Sequence, residues 1–518
     1  MRIGLVPDDV LLVPRAAPEK GMREEWGGIF ERVIPDEAFD GPQFAERDLS
    51  SRTNVDTSTF IDKGQTIRLK IPIVSAPMAD VTQSDLAIAL AKEGGVGIIH
   101  RAQTEKEEAA EVALVKSQMG FIFERPPTLP PTATVFDARG KMNRGLVVVT
   151  DRGNHVLGVV TRRDVKKDHA PQDLLLAQVM TPQKKVVTII PEVDTTDPFA
   201  IFVRRRDGGQ KIKATDLMWR KRVEKLIIVD ENNRLIGAIT DFDQRQLREK
   251  PDSTLDNKGQ LVVGAAIGIN GNYLKRAEAV IAAGADFLCI DVANGYLKTV
   301  RIALKTLKKR FPHIPIMVGS TVTRQGARIL AEEGADAIRN GIGGGSICIT
   351  RGVSGFGVPG LTSTLEVADE ADKYRVPMVA DGGIRNSSDV AKYLAAGARA
   401  VMLGRLLASS EEAAGQLIID SDTMTRHHEY RGMASESVRR ELEAAGGRTS
   451  RAYARKPEGV PQKVKIVGTV FDITQDLVRG LQSGCTYGGV TNLEQLRNEV
   501  DFVRVTSAGQ REGGVQNF

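Results

Sequence analysis

Cysteine is scarce in this chain. Three residues in 518, Cys289, Cys348 and Cys485, lie far apart with no CxxC pair. That excludes a disulfide framework and a cysteine-built structural zinc site, and it suits a reducing compartment. Aromatic residues are also few, at 5%, and no basic–aromatic run offers a surface for stacking bases. No uninterrupted apolar run is long enough to span a bilayer. The opening stretch MRIGLVPDDVLLVP lacks the apolar centre of a signal peptide. An excess of one charge is missing too: the net +5 is spread along the chain, so neither nucleic acid nor membrane is expected as a partner. The expectation is a cytoplasmic protein. With 41% hydrophobic and 26% charged residues the composition is globular, and the length requires two domains or more.

What the chain has is a repeating grammar. A helical segment ends in a small residue and glycine, and an apolar strand follows at once: KEGGVGIIH at 92–100, AAGADFLCID at 282–291, EEGADAIRNG at 332–341 and AAGARAVMLG at 395–404. Glycine at the helix C′ position takes the left-handed conformation cheaply. Continuous apolar runs suit strands buried on both faces of a parallel sheet. IPIVSAPM at 71–78, LVVGAAIG at 261–268, PIMVGS at 315–320 and PMVADGG at 377–383 bring the strands to eight. Eight such strands alternating with helices predict a (β/α)8 TIM barrel, with a doubly wound open sheet as the rival. Polar or glycine-rich residues follow the strands directly: Ser75 and Met78, His100, Asp291 with Asn294, Ser320, the loop around Cys348, Asp381–Gly383 and Gly404. In a barrel these strand ends converge on the face where active sites sit.

The grammar stops near residue 118 and resumes near 260. Between them LVVVTDRGNHVLGVVTRRD at 146–164 matches LIIVDENNRLIGAITDFD at 226–243. Each reads strand, polar turn, strand, then Thr and Asp at a helix start. This duplication, with VMT at 179–181, resembles a tandem cystathionine-β-synthase (CBS, or Bateman) pair. The resemblance implies adenine or guanine nucleotides as ligands, with Asp164 and Asp243 at the ribose. A purely structural insert is the alternative. RRR at 204–206 reads as a solvated face. The expected organisation is 1–118 for the first part of the barrel, 119–250 for the CBS pair, and 251–518 for the rest, with a flap at 430–460. The segment GMREEWGGIFERVIPDEAFDG after residue 20 carries no reading.

Cys348 lies in GIGGGSICITRGVSGFGVPG, residues 341–360. A thiol attacks as its thiolate and needs a positive setting, a helix N-terminus or a base. The loop supplies Arg351 and many backbone N–H groups, and Gly343–Ser346 can form an anion-binding concavity. Asp381–Gly383 and Gly404 end later strands, where barrels build phosphate sites. A phosphorylated ligand anchored beside a thiol is the expectation, with Asp381 on its ribose and Asp291 on that of a second nucleotide.

At this loop the sequence resembles the inosine-5′-monophosphate dehydrogenase and guanosine-5′-monophosphate reductase superfamily. DDVLLVP at 8–14, IVSAPM at 73–78, GGVGIIHR at 94–101, VADGGIR at 379–385, YRGMAS at 430–435 and PEGV at 457–460 fit in order. The resemblance implies the barrel fold and covalent attack by Cys348 on C2 of a purine, with Thr350 and Glu458 as catalytic partners. It implies nucleotide contacts from Ser346, Asp381, Gly383, Gly404, Arg405, Tyr430, Met433, Ala434 and Met78. It implies cofactor contacts from Asp291, Asn294, Gly295, Arg351 and Arg455, and hydride transfer between C2 and a nicotinamide. A potassium ion would sit on the carbonyls of Gly343, Gly345 and Cys348, completed by Glu512, Gly513 and Gly514 of a neighbouring copy in a homotetramer or octamer.

The superfamily runs in two directions. The dehydrogenase oxidises IMP with NAD and then needs water and a base, carried on a flap with an Arg-Tyr pair. The reductase releases ammonia from GMP and takes hydride from NADPH. The flap here, 434–459, has no Arg-Tyr dipeptide, although Arg448 and Arg451 remain as alternative bases. CIDVANGY at 289–296, AGG at 445–447 with Arg455, and CTYGG at 485–489 resemble the reductase. The CBS insertion, YRGM and the terminal EGGV resemble the dehydrogenase, and Ser320 and Gly360 depart from the pattern of both. GMP reductase with NADPH is the favoured expectation, and IMP dehydrogenase with NAD is the alternative. A catalytically silent nucleotide sensor comes third, and retention of Cys348, Thr350 and Glu458 together argues against it.

Overall fold

The computed structural model describes residues 5–12, 52–165, 172–194, 201–205, 210–444 and 456–512. The chain divides into two compact units. One comprises Met1–Lys116, Asp252–Thr254 and Val262–Phe518, and the other Ser117–Pro251 and Leu255–Leu261.

The first unit is the expected barrel. Its strands are β1 (Ile73–Ser75), β2 (Gly97–Ile99), β3 (Val263–Ile267), β4 (Phe287–Asp291), β5 (Ile316–Thr321), β6 (Ala337–Asn340), β7 (Met378–Asp381) and β8 (Ala400–Leu403). They are parallel, in the order β1-β8-β7-β6-β5-β4-β3-β2. A bridge between Val74 and Val96 joins the two ends, which removes the open-sheet alternative. Gly94, Gly284, Gly334 and Gly397, the glycines of the repeating grammar, all have φ between 91° and 113°. A side chain there would strain each helix-to-strand turn.

The residue after the Gly-Ala pair does further work at the lower end. Asp286 accepts the N–H of Val263 at 2.8 Å and pairs with Lys116 at 2.9 Å. Asp336 accepts the N–H of Ile316 at 2.8 Å and pairs with Lys308 at 2.7 Å. Each carboxylate thus ties one strand to its neighbour and carries one counter-charge. Inside the barrel Val74, Ile98, Ala266, Cys289, Met317, Ala337, Val379, Ala400 and Met402 form a packed core. Cys289 belongs to that core, and burial pushes its thiol up to about 12, so it is inert packing. Cys485 is likewise buried, inside the helix Val470–Tyr487.

The second unit holds two hairpins, Leu146–Thr150 with Val156–Thr161 and Lys225–Val229 with Leu235–Thr240, in sheets of four and five strands. The T-x-x-D motifs take the same place in both. Oδ2 of Asp164 accepts from the N–H and hydroxyl of Thr161 at 2.7 and 2.8 Å, and Oδ2 of Asp243 accepts from the Thr240 hydroxyl at 2.5 Å. Their surroundings differ. Asp243 is 1% exposed and pairs with Arg144 at 2.6 Å, whereas Asp164 is half-buried and has no such cation among the described residues. The segment 21–41 lies outside the described residues. Among them, no helix is long and apolar enough to cross a membrane.

Candidate active site

A cavity of about 790 Å3 opens at the upper end of the barrel, within the range of small-molecule sites. The loop after β6 forms one wall. Gly341 has φ 147°, and a Cβ there would lie 2.0 Å from the carbonyl of Asp381, so only glycine lets the loop pass β7 this closely. Cys348 ends the loop, and Thr350 opens the short helix Thr350–Ser354.

Cys348 Sγ lies 3.1 Å from Thr350 Oγ1, and that hydroxyl donates to Glu458 Oε2 at 2.7 Å. Glu458 is 110 residues downstream of Cys348 in the numbering, and the backbone brings the two segments together. The Ile349 N–H donates to the Glu458 carbonyl at 2.9 Å, and the Val460 N–H donates to the Ile347 carbonyl at 3.0 Å. Thiol, hydroxyl and carboxylate therefore form a relay along which a proton can move in either direction.

The nucleotide residues expected from the sequence line the same cavity: Ser346, Asp381, Gly383, Gly404, Arg405, Tyr430, Met433, Ala434 and Met78. A Cβ on Gly404 would meet the Tyr430 hydroxyl at 2.7 Å, so glycine is what leaves room for that ring. Gly343, Gly345 and Cys348 line the cavity as well. Arg455, Gly513 and Gly514 lie outside the described residues, as do Arg448 and Arg451. Glu512 ends the helix Ser507–Glu512.

The cofactor set divides. Asp291 and Asn294 line the cavity; Gly295 and Arg351 do not. Gly295 instead donates its N–H to the Ser320 carbonyl at 2.6 Å. Arg351 donates to the carbonyls of Ile342 and Val358 at 3.2 and 2.5 Å, clipping the two arms of the cysteine loop. The loop folds back on itself, so its cation holds backbone. His100, also flagged at a strand end, lies buried outside the cavity and accepts the Ala102 N–H at Nδ1, 3.1 Å away.

Arg339 was not anticipated. It points inward from β6 and donates to Asp291 at 2.9 Å and to the Ser320 hydroxyl at 3.2 Å, with Asp381 at 3.7 Å. Arg101 reaches the other oxygen of Asp291 at 3.2 Å. Burial pushes the Asp291 carboxyl up, but Arg339 and Arg101 more than offset it, so it sits below the usual carboxylate range. Asp381 goes the other way: burial raises it, Arg339 offsets only part, and Asp291 adds to the rise. The signal for Arg339 is present in ADAIRNG, where a charge stands two residues after an inward-facing alanine in an otherwise apolar strand.

The family described as "IMP dehydrogenase / GMP reductase domain" matches residues 42–516. Inosine-5′-monophosphate dehydrogenase of Aquifex aeolicus is 37% identical over 99% of this chain and 95% of its own length. That of Escherichia coli K12 is 36% identical over 89% of this chain and 91% of its own. Among solved structures, a GMP reductase variant from Trypanosoma brucei in complex with guanosine 5′-monophosphate superposes with a TM-score of 0.84 at 32% identity, covering 100% of this chain and 98% of that one. The same organism's reductase in complex with guanosine 5′-triphosphate gives 0.74 at 29% identity, covering 98% and 99%.

Proposed function

This chain belongs to the IMP dehydrogenase / GMP reductase family of NAD(P)-dependent oxidoreductases, and we propose that within it the chain works as a GMP reductase. GMP, NADPH and two protons give IMP, NADP+ and ammonium. The Cys348 sulfur adds to C2 of guanine, and the exocyclic C2–N bond breaks. The Thr350–Glu458 relay delivers the proton that lets nitrogen leave as ammonia. The C2–S bond then breaks as C2 gains hydrogen, and the thiolate is regenerated beside Thr350. When bound, the reduced nicotinamide supplies the hydride. Asp291 and Asn294 in the lining, and a cavity of about 790 Å3, fit such a group.

The observation that carries the direction is the flap, 434–459, which has no Arg-Tyr dipeptide, together with CIDVANGY at 289–296. Arg101 and Arg339 are held by Asp291, Arg385 by Asp8 and Asp389, and Arg405 by Gln462. None of these four is offered as a water-activating base, which hydrolysis to XMP requires and ammonia release does not; Arg448 and Arg451, the flap candidates, lie outside the described residues. The likeness to a reductase over the whole length of both chains supports the same direction, since an insert of this size is then no argument against it. The second reading, IMP dehydrogenase, rests on the curated relatives of that name. Absorbance at 340 nm separates the two. The expected result is NADPH oxidation with GMP and none of the NADH formation that IMP and NAD would give; the reverse pattern selects the dehydrogenase.

Three further assignments belong to the same proposal. Potassium on the carbonyls of Gly343, Gly345 and Cys348 would brace the cysteine loop, so exchange of potassium for sodium is expected to lower turnover. The tandem insert would bind ATP or GTP, and a family reductase has been seen with guanosine 5′-triphosphate. Because Asp243 is occupied by Arg144, Asp164 is the carboxylate expected to take the ribose, and Asp164→Ala should remove the nucleotide response. A homotetramer, or an octamer, is the expected assembly.

A further inference from the structure

The turn that carries Met433 and Ala434 is fastened to the barrel by one arginine. Arg431 follows Tyr430 at the end of β9 (Arg426–Tyr430). Its backbone N–H and its Nε both donate to Oδ2 of Asp80 at 2.8 Å, and Nη2 donates to Oδ1 at 2.6 Å. Asp80 sits on the loop after β1 and is 2% exposed. A carboxylate that grips both the side chain and the backbone of one residue fixes position as well as charge. The remaining donor, Nη1, reaches Glu441 at 2.7 Å on the helix Glu436–Ala444, and Glu429 lies 3.4 Å from Nε. Val438 of that helix packs on Ala79 and Ala102, with Met433 and Leu442 around it.

The turn in question is short. The Ser435 N–H donates to the Gly432 carbonyl at 2.9 Å, and the Ala434 carbonyl accepts the N–H of Glu458 at 3.4 Å. Glu458 is the residue that ends the relay from Cys348. Asp80, Arg431, the turn, Glu458, Thr350 and Cys348 are therefore one continuous chain of contacts, and neither Asp80 nor Arg431 lines the cavity.

We propose that Asp80 and Arg431 are a positioning pair for the reaction: they fix the turn 432–435, and through it they hold the Glu458 carboxylate against Thr350 and Cys348. The proposal rests on the reading that Cys348, Thr350 and Glu458 perform the chemistry. Displacements of about 1 Å in such a relay cost on the order of a hundredfold in rate. Glu441, more exposed and open to salt, is the weaker hand of the clamp.

Asp80→Asn, and Arg431→Lys as a second variant that keeps the charge, should each lower kcat about 10- to 100-fold. The KM for GMP should move by less than kcat does, because only Met433 and Ala434 ride on the turn while Ser346, Asp381 and Gly383 lie on other elements. Glu441→Gln should stay within about twofold. The deciding comparison is made in a Glu458→Gln background, where Asp80→Asn should cost nothing further. Alkylation of Cys348 by iodoacetamide is measured on the same variants and needs no turnover. It should slow with Asp80→Asn in the wild-type background and not in the Glu458→Gln one. If no nucleotide pair is turned over but the alkylation pattern holds, the reading of the reaction fails and the positioning pair stands. Unchanged kcat and alkylation in Asp80→Asn and Arg431→Lys, or equal losses in both backgrounds, would overturn the pair.

Discussion

At the lower end of the barrel Asp286 and Asp336 each accept one strand N–H and pair with one lysine. At the upper end Asp291 and Asp381 share Arg339, with Arg101 on the outer side of Asp291, beside an open cavity. Residue types are nearly the same, but the consequences differ. The lower pairs are local clasps, each one carboxylate with one lysine, whose hydrogen bonds tie neighbouring strands. The upper cluster places four charges where solvation is poor, an arrangement that apolar side chains of similar volume would often equal or better for stability. On the proposed function the upper polarity serves the ligands, and the lower polarity ties neighbouring strands. On that reading a change at the lower end should cost stability alone, and a change at the upper end should cost activity as well.

The largest expected contrast comes from Cys348→Ala, which should reduce turnover at least about a thousandfold while leaving the melting temperature unchanged. Calorimetry beside the NADPH assay checks both halves, and a residual rate near wild type would remove Cys348 from the mechanism. Next is Arg339→Met. It leaves Asp381 without its cation and Asp291 with Arg101 alone, and should cost about 3–5 kcal/mol in denaturant unfolding as well as most of the activity. If stability falls and KM and kcat do not, the upper cluster is a clasp like the lower ones.

His100 sharpens the comparison through pH. Burial pushes it down to about 4, against the opposing pull of Glu111 and Asp80. The unfolded chain therefore takes up a proton below about pH 6.5 that the native protein refuses until about pH 4. Stability should be full above that window and fall through it by about 3 kcal/mol as pH drops, levelling off below. His100→Gln should flatten the profile, seen in unfolding midpoints at several pH values. The smallest effect is expected from Asp336→Asn at the lower end: about 1–2 kcal/mol of stability, with kcat and KM intact. A tenfold change in kcat/KM there would erase the distinction between the two ends.

Much of this was legible because it is local. The four glycines that end helices announce themselves by spacing, and all four take positive φ. The strand-end residues from Met78 to Gly404 read as one face because a closed barrel leaves them no other place. Pairings across long stretches of chain were not legible. Nothing in the sequence joins Arg144 to Asp243, and that contact distinguishes two motifs that look equivalent. Nothing joins Asp80 to Arg431 either, since their meeting depends on how β9 returns over the loop after β1. Arg351 shows the same dependence on how the loop folds. A cation beside a thiol reads as a ligand contact, yet the fold of the loop turns it onto carbonyls.

The most direct test follows nitrogen. Protein is incubated with NADPH and GMP labelled with 15N at the exocyclic amino group, and the ammonia, the purine product and the remaining NADPH are quantified. The account predicts labelled ammonia and IMP in equal amounts, matched by NADPH consumed, and none of these with Cys348→Ala. Retention of the label in GMP, together with XMP formation from IMP and NAD by the same preparation, would contradict it.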